Sequence, residues 1–173
     1  MTVIPEGNIN LTFPDSWRVY KYDDWSYYKK QFQKCCDAKA VDFLACSPAT
    51  NAGGRGVWLI EVKDYRKYPR SKPSELDVEV AEKVRDTLAG LVAASLRAND
   101  AHEKEFASLC LKSASIHVVL HLEVPKHPSK LFSLPVDPAN IQMRLRRRLR
   151  GIDPHVCVAQ KSKLPMRIGW EVS

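Results

Sequence analysis

Ala40-Val41-Asp42-Phe43-Leu44-Ala45-Cys46 and Val57-Trp58-Leu59-Ile60-Glu61-Val62-Lys63 are two apolar runs, each interrupted by charge. A chain seldom puts Asp, Glu or Lys into such runs unless the charge is paired or binds something. Between them, Ser47-Pro48-Ala49-Thr50-Asn51-Ala52-Gly53-Gly54-Arg55-Gly56 is dense in turn residues. The whole reads as two neighbouring strands joined by a loop over residues 47–56. Paired antiparallel across that loop, Cys46 faces Val57 and Asp42 faces Glu61. Directly opposed residues share a face, with Cβ atoms about 5 Å apart. Lys63 follows Glu61 by two and shares that face as well. A slip of one residue would part the carboxylates, so the register decides the reading.

Two adjacent carboxylates repel unless a cation lies between them. Hard oxygen ligands suit Mg²⁺ (or Mn²⁺), which takes one or two carboxylates and lets waters and substrate phosphate complete its shell. Such an ion lowers the pKa of a bound water and neutralises charge developing on a phosphoryl oxygen. A neighbouring lysine can orient the water and contact the phosphate. The chemistry so implied is phosphodiester hydrolysis. The competing account is a solvated strand face carrying a cross-strand ion pair.

This constellation resembles the PD-(D/E)xK nuclease superfamily, to which the restriction endonucleases belong. The carrying residues are Asp42 in Ala40-Val41-Asp42-Phe43-Leu44 and the tripeptide Glu61-Val62-Lys63. The order of elements over roughly residues 25 to 160 matches as well. The resemblance implies a metal-dependent nuclease acting on DNA. In it, Asp42 and Glu61 hold the ion, helped by the Val62 carbonyl, and Lys63 assists the attacking water. It departs from the family pattern in having no proline before Asp42. For a fourth carboxylate from a preceding helix, the chain offers only Asp23, Asp24 and Asp37.

At 173 residues and 45% apolar content, one domain over residues 1–173 with a sizeable core is expected. No stretch is long enough to span a membrane, and residues 1–10 lack the pattern of a signal peptide. The five cysteines include no Cys-x-x-Cys pair, which argues against a zinc ribbon or redox motif and suits a reducing cytoplasm. The net charge of +7 is unevenly placed. Residues 1–125 hold 17 Lys/Arg and 17 Asp/Glu, whereas residues 126–173 hold 10 basic residues against Asp137, Asp153 and Glu171. That imbalance is the footprint of a polyanion binder.

Along the chain, residues 8–14 alternate as an edge strand and residues 18–22 suggest another. Asp24 is placed to cap a helix whose apolar face is Trp25, Tyr28, Phe32 and Cys36. The crowd of Trp17, Tyr20, Tyr22, Trp25, Tyr27 and Tyr28 reads as core rather than as a platform for nucleobases. After the Glu-x-Lys strand, the loop over residues 64–73 carries four positive charges, with Arg66 and Lys67 placed to grip phosphate. Ser74 and Asp77 resemble a capping box for a helix to about residue 97, striped by Val80, Val84, Leu88, Leu91, Val92 and Leu96. A second helix covers residues 102–111. Residues 116–124 form a strand whose His117, His121 and Glu123 suggest a polar outer face rather than a ligand set. His127 in the following turn carries no signal.

Asp137 as N-cap, Pro138 at the first helical position and Gly151 past the end bound a helix with Ile141, Leu145 and Leu149 on its buried stripe. Arg144, Arg146, Arg147, Arg148 and Arg150 cover most of the rest, more than a helix dipole calls for. Arg144, Arg147 and Arg148 are the candidate phosphate contacts, against the alternative of a docking face for an acidic protein. Residues 155–160 close as a strand. Gly53-Gly54-Arg55-Gly56 lies between strands and does not fit a P-loop or dinucleotide fingerprint.

The order of elements points to an α/β protein with helices flanking a mixed sheet, a three-layer α/β/α sandwich of restriction-endonuclease-like type. The rivals to a working nuclease are a silent protein of the same fold that binds nucleic acid or a partner subunit, and a plain basic binding module. A homodimer or a place in a larger complex is compatible with either.

Overall fold

The protein is described from a computed structural model over residues 1–49, 53–68, 70, 75–125 and 136–173. An N-terminal hairpin, β1 (Thr2–Glu6) and β2 (Ile9–Phe13), turns at Gly7, whose φ of +57° lies where glycine carries no Cβ penalty. β3 (Arg18–Lys21) leads through a 3₁₀ turn and a π-helical turn (Tyr28–Phe32) into α1 (Gln33–Cys36). Then come β4 (Phe43–Cys46), β5 (Gly56–Asp64), α2 (Leu76–Arg97), α3 (Ala101–Leu111) and β6 (Ser115–Glu123). α4 (Pro138–Arg148), β7 (Cys157–Ala159) and the short β8 (Glu171–Val172) complete the chain.

A five-stranded sheet runs in the order β3-β4-β5-β6-β7. Its β3, β4 and β5 are antiparallel, and β5, β6 and β7 are parallel, so the sheet is mixed. A parallel neighbour needs a crossover of a dozen or more residues; α2 with α3 supplies one and α4 lies in the next. Cys46 faces Val57 and Phe43 faces Ile60, the register anticipated from the sequence. The second sheet, β1-β2-β8, is antiparallel throughout.

Both faces of the large sheet are covered, by different layers. Leu44, Cys46, Val57, Leu59, Val118 and Leu120 pack against Val80, Val84 and Leu91 of α2, Phe106 of α3, and Ile141 and Leu145 of α4. Phe43, Ala45, Trp58, Ile60, Val62 and Val119 pack instead against Leu11 and Phe13 of β2 and against Trp170 and Val172. The α/β/α expectation is therefore corrected among the described residues: helices lie on one face and a small β-sheet on the other. Of the covering strands, β2 matches the edge strand expected over residues 8–14, whereas β8 is only two residues long and β1 carries Pro5, which tolerates only an edge position, so neither gives a clear sequence signal.

Local expectations fare unevenly. α4 starts as expected, with the Asp137 carboxylate accepting from the Ala139 N–H at 3.1 Å, and its Ile141, Leu145 and Leu149 are buried. Tyr22, Trp25, Tyr27 and Tyr28 are core. Asp24 does not cap the following helix; the Glu103 carboxylate of α3 accepts from the Ser26 and Tyr27 N–H groups at 2.6 and 3.0 Å. Asp24 is drawn off by Lys29, 2.5 Å away. On α2 the inward stripe holds through Leu91 and Ala94, but Val92 and Leu96 are 51% and 70% exposed. Cys46, Cys110 and Cys157 are buried free thiols. No described helix is long and apolar enough to cross a membrane.

Candidate functional site

The helix-facing side of β5 carries Glu61 and Lys63 beyond Val57 and Leu59, and Asp42, just ahead of β4, lies opposite Glu61. The three side chains do meet. Lys63 Nζ is 2.5 Å from Glu61 Oε1. The Val62 N–H donates to Asp42 Oδ2 at 2.7 Å, which fixes that carboxylate against β5. Glu61 is 1% exposed and Asp42 7%.

A fourth member had escaped the sequence reading. Lys83 of α2 reaches down to the sheet, with Nζ 2.6 Å from Glu61 Oε1 and 3.7 Å from Asp42 Oδ1. The signal was present: position 83 is three beyond Val80 and four before Thr87, both wholly buried, so a lysine there stands on the inward stripe. Thr87 is committed as well, its hydroxyl accepting from the Val41 N–H at 3.1 Å.

Burial pushes the carboxyl pKa values of Asp42 and Glu61 up, against the pull of Lys63 and Lys83. Asp42 itself raises Glu61 further. Burial works to lower the Lys63 ammonium, but Glu61 and Asp42 outweigh it and its pKa is raised. Asp23, at the mouth of a neighbouring cavity of about 390 Å³ that Lys83 also lines, is raised to about 6, chiefly by burial.

As arranged, these donors do not fit a divalent ion. Lys83 stands between the carboxylates where such an ion would sit, one Asp42 oxygen is taken by a backbone N–H, and Glu61 Oε1 faces two ammonium groups. Glu61 Oε2 is left buried without a partner. Among the described residues no three His, Cys, Asp or Glu side chains are grouped to hold a metal. What the cluster shows chemically is two buried carboxylates neutralised by two lysines.

The residues expected at a phosphate backbone divide into committed and free. Arg66 is held bidentately by Asp64, with Nε and NH2 at 2.8 and 2.6 Å, while Lys67 is exposed. Arg144 reaches Glu75 at 2.7 Å, and Arg148 reaches the wholly buried Asp77 at 2.6 Å, so these two fasten α4 to the start of α2. Arg146 Nε donates to the Val156 carbonyl at 3.0 Å. Arg147 and Arg150 are exposed and make no ion pair among the described residues. Pro69, residues 71–74 and His127 lie outside the described residues, and with them Lys72 of the basic loop and the Ser74 cap.

The strand β6 corrects a further expectation. His117, His121 and Glu123 do share a face, but it is not an outer one: His121 is 1% exposed, with Nε2 2.9 Å from Glu123 Oε1. The small β-sheet on that side covers what a two-layer reading would leave to solvent.

The chain is similar to the cysteine–tRNA ligase of Neisseria meningitidis serogroup A / serotype 4A (strain DSM 15465 / Z2491), 36% identical over 167 residues. The match takes in 82% of this chain and 24% of the ligase, so the chain spans about a quarter of that relative's length. No family model and no solved structure matches. This likeness overturns the PD-(D/E)xK resemblance and with it the reading as a metal-dependent nuclease or endonuclease, because the relative is an aminoacyl-tRNA ligase and not a phosphodiesterase. The short motif misled for a physical reason. Opposed carboxylates with a lysine two residues on arise wherever a strand pair buries an ion-pair cluster, and Lys83 shows what neutralises this one.

Proposed function

We propose that this chain is a tRNA-ligase-related domain that binds the phosphate backbone of tRNA. The likeness to part of a cysteine–tRNA ligase carries the reading, since tRNA is what that protein's name says it acts on. The charge distribution supports it: the whole excess of +7 falls in residues 126–173, and Arg147 of α4 and Arg150 just beyond it are exposed without carboxylate partners among the described residues. Arg144 and Arg148, spent on Glu75 and Asp77, hold that helix in place rather than meet the ligand. Lys67 is a further exposed cation, with no ion pair among the described residues. Contacts of this kind set affinity and salt dependence and carry no base sequence information. They favour RNA here only through the relative; for the DNA expected from the sequence the same arginines would serve. In this reading the Asp42–Glu61–Lys63–Lys83 cluster maintains the fold.

Fluorescence anisotropy with a labelled tRNA transcript, and with duplex DNA of similar length, tests the proposal. Saturable tRNA binding that weakens steeply with salt is expected, and Arg147→Glu with Arg150→Glu should lower affinity by about tenfold or more while reducing the salt slope. Failure of tRNA to bind at low salt, or identical binding by the doubly substituted chain, would refute it.

A further inference from the structure

A second polar constellation lies away from the buried cluster, at the opening of β6 and on the other face of the sheet. A cavity of about 500 Å³ is lined there by Ser115, His117, Asp153, His155 and Arg167. Ser115 and His117 alternate onto one face, and Ser115 Oγ is 2.9 Å from His117 Nε2. The His117 ring stacks on Trp58, centroids 4.3 Å apart and planes at 29°, which holds the imidazole in place. Gly56, paired with Ser115 across the ladder, makes the arrangement possible. A Cβ at that position would stand 3.1 Å from two His117 ring atoms and 3.2 Å from Ser115 Oγ.

The cavity's carboxylate is already satisfied. Asp153 is buried, with one oxygen accepting from the Val118 N–H at 2.8 Å and the other from the His155 N–H at 2.7 Å. Those bonds clamp the His155 loop to β6 and give each carboxylate oxygen one backbone donor. Arg167 donates to the His155 carbonyl, also hydrogen-bonds the Cys157 thiol, and makes no ion pair among the described residues, so no carboxylate neutralises its guanidinium there. Burial lowers the His117 pKa from its ordinary value, with Asp153 working against it. A guanidinium, a hydroxyl and two imidazoles thus converge on one open cavity.

We propose that this cavity binds a phosphate monoester group, with Arg167 as its bidentate anchor and Ser115, His117 and His155 as hydrogen-bonding partners. Planar guanidinium matched to tetrahedral oxyanion is among the strongest hydrogen-bonded pairings open to a protein side chain. The site does not depend on the α4 surface and stands or falls separately from tRNA binding. The phosphate could belong to a free small molecule or to the phosphorylated end of an RNA.

Inorganic phosphate titrated into the full chain at pH 7, followed by NMR of the histidine side chains, tests it. Saturable shifts of the His117 and His155 resonances are expected, absent with chloride at matched ionic strength. Arg167→Gln, an exposed substitution whose fold circular dichroism would verify, should weaken binding by tenfold or more, and Ser115→Ala by a few-fold. Tighter binding of a 5′-phosphorylated oligoribonucleotide than of its 5′-hydroxyl counterpart would assign the group to an RNA end, whereas a 5′-phosphate that adds nothing beyond free phosphate would assign it to a small molecule. No saturable shift with millimolar phosphate, an equal response to chloride, or unchanged binding by Arg167→Gln would overturn the site.

Discussion

On one side of β5, Trp58, Ile60 and Val62 pack in an apolar cluster with the small sheet and the C-terminal segment, with the His117 ring stacked on Trp58 as well. On the other side Val57 and Leu59 do the same against the helices, but Glu61 and Lys63 then face Asp42 and Lys83. Both sides are largely buried, and they are held by different forces. The β-layer side rests on area and shape, with Trp58 edge-on to Trp170 at a centroid distance of 5.3 Å and Trp17 a further 5.7 Å from Trp58. The helix side rests in part on mutual neutralisation, where each member is tolerable only while the others are present.

The contrast is sharpened by substituting one residue from each side. Trp58→Ala should cost about 4 kcal/mol, the range for deleting a large buried aromatic, read as a lower midpoint in urea denaturation. A loss below about 1 kcal/mol would mean that the β layer is not the packed face described. On the other side, Lys83→Met conserves bulk and removes charge, and should cost about 3 kcal/mol at neutral pH because Asp42 and Glu61 are left with one ammonium between them. The sign of its pH dependence follows from the raised carboxyl pKa values of both residues. A folded state that binds more protons than the unfolded chain loses stability as pH rises. The Lys83→Met deficit should therefore be larger at pH 8 than at pH 4.5, and a deficit independent of pH would show that packing, not charge, is what Lys83 supplies.

The two sides were not equally legible in the sequence. Asp42, Glu61 and Lys63 could be brought together because strand alternation has a period of two and the loop between the runs fixed one register. α4 was legible from Asp137, Pro138 and Gly151, whose backbone preferences are local. The covering sheet was not, because β8 joins β2 from the far end of the chain and nothing within two residues signals such a partner. Lys83 was missed for a related reason: its charge is explained only by strands that come before the helix. The family resemblance failed at a different level. The geometry of its three residues was right, but geometry shared by ion-pair clusters and metal sites does not choose between them.

Asp23 gives a smaller effect on the charged side. Its pKa is raised to about 6, first by burial, and Oδ1 is buried with no hydrogen-bond partner among the described residues. Between about pH 4 and pH 6 the folded state holds the extra proton, so the contribution of Asp23 to stability falls as pH rises through that window and stays low above it. Asp23→Asn removes the fall. It should stabilise the chain by about 1 kcal/mol at pH 7.5, after discounting for the half of the group that water screens, and change little at pH 4. Equal denaturation midpoints for the two chains at pH 7.5 would show that Asp23 ionises without cost.

The same division between committed and free charge recurs on α4, at the smallest scale. Arg148 and Arg147 are neighbours on one helix, yet Arg148 answers the wholly buried Asp77 while Arg147 points into solvent. Removing Arg148 strands a buried carboxylate. Because the guanidinium itself is well exposed, the expected loss for Arg148→Ala is only about 1 kcal/mol. Arg147→Ala should stay within about 0.5 kcal/mol of the parent chain in the same urea titration, since nothing in the fold depends on it. If the two arginines cost the same, the ion pair to Asp77 contributes nothing measurable, and Arg148 joins Arg147 as a side chain free to meet a polyanion. If Arg148 alone is costly, the exposed cations without an ion pair among the described residues are Arg147 of α4 and Arg150 just beyond it, and substitutions there test the proposed tRNA binding without unfolding the chain.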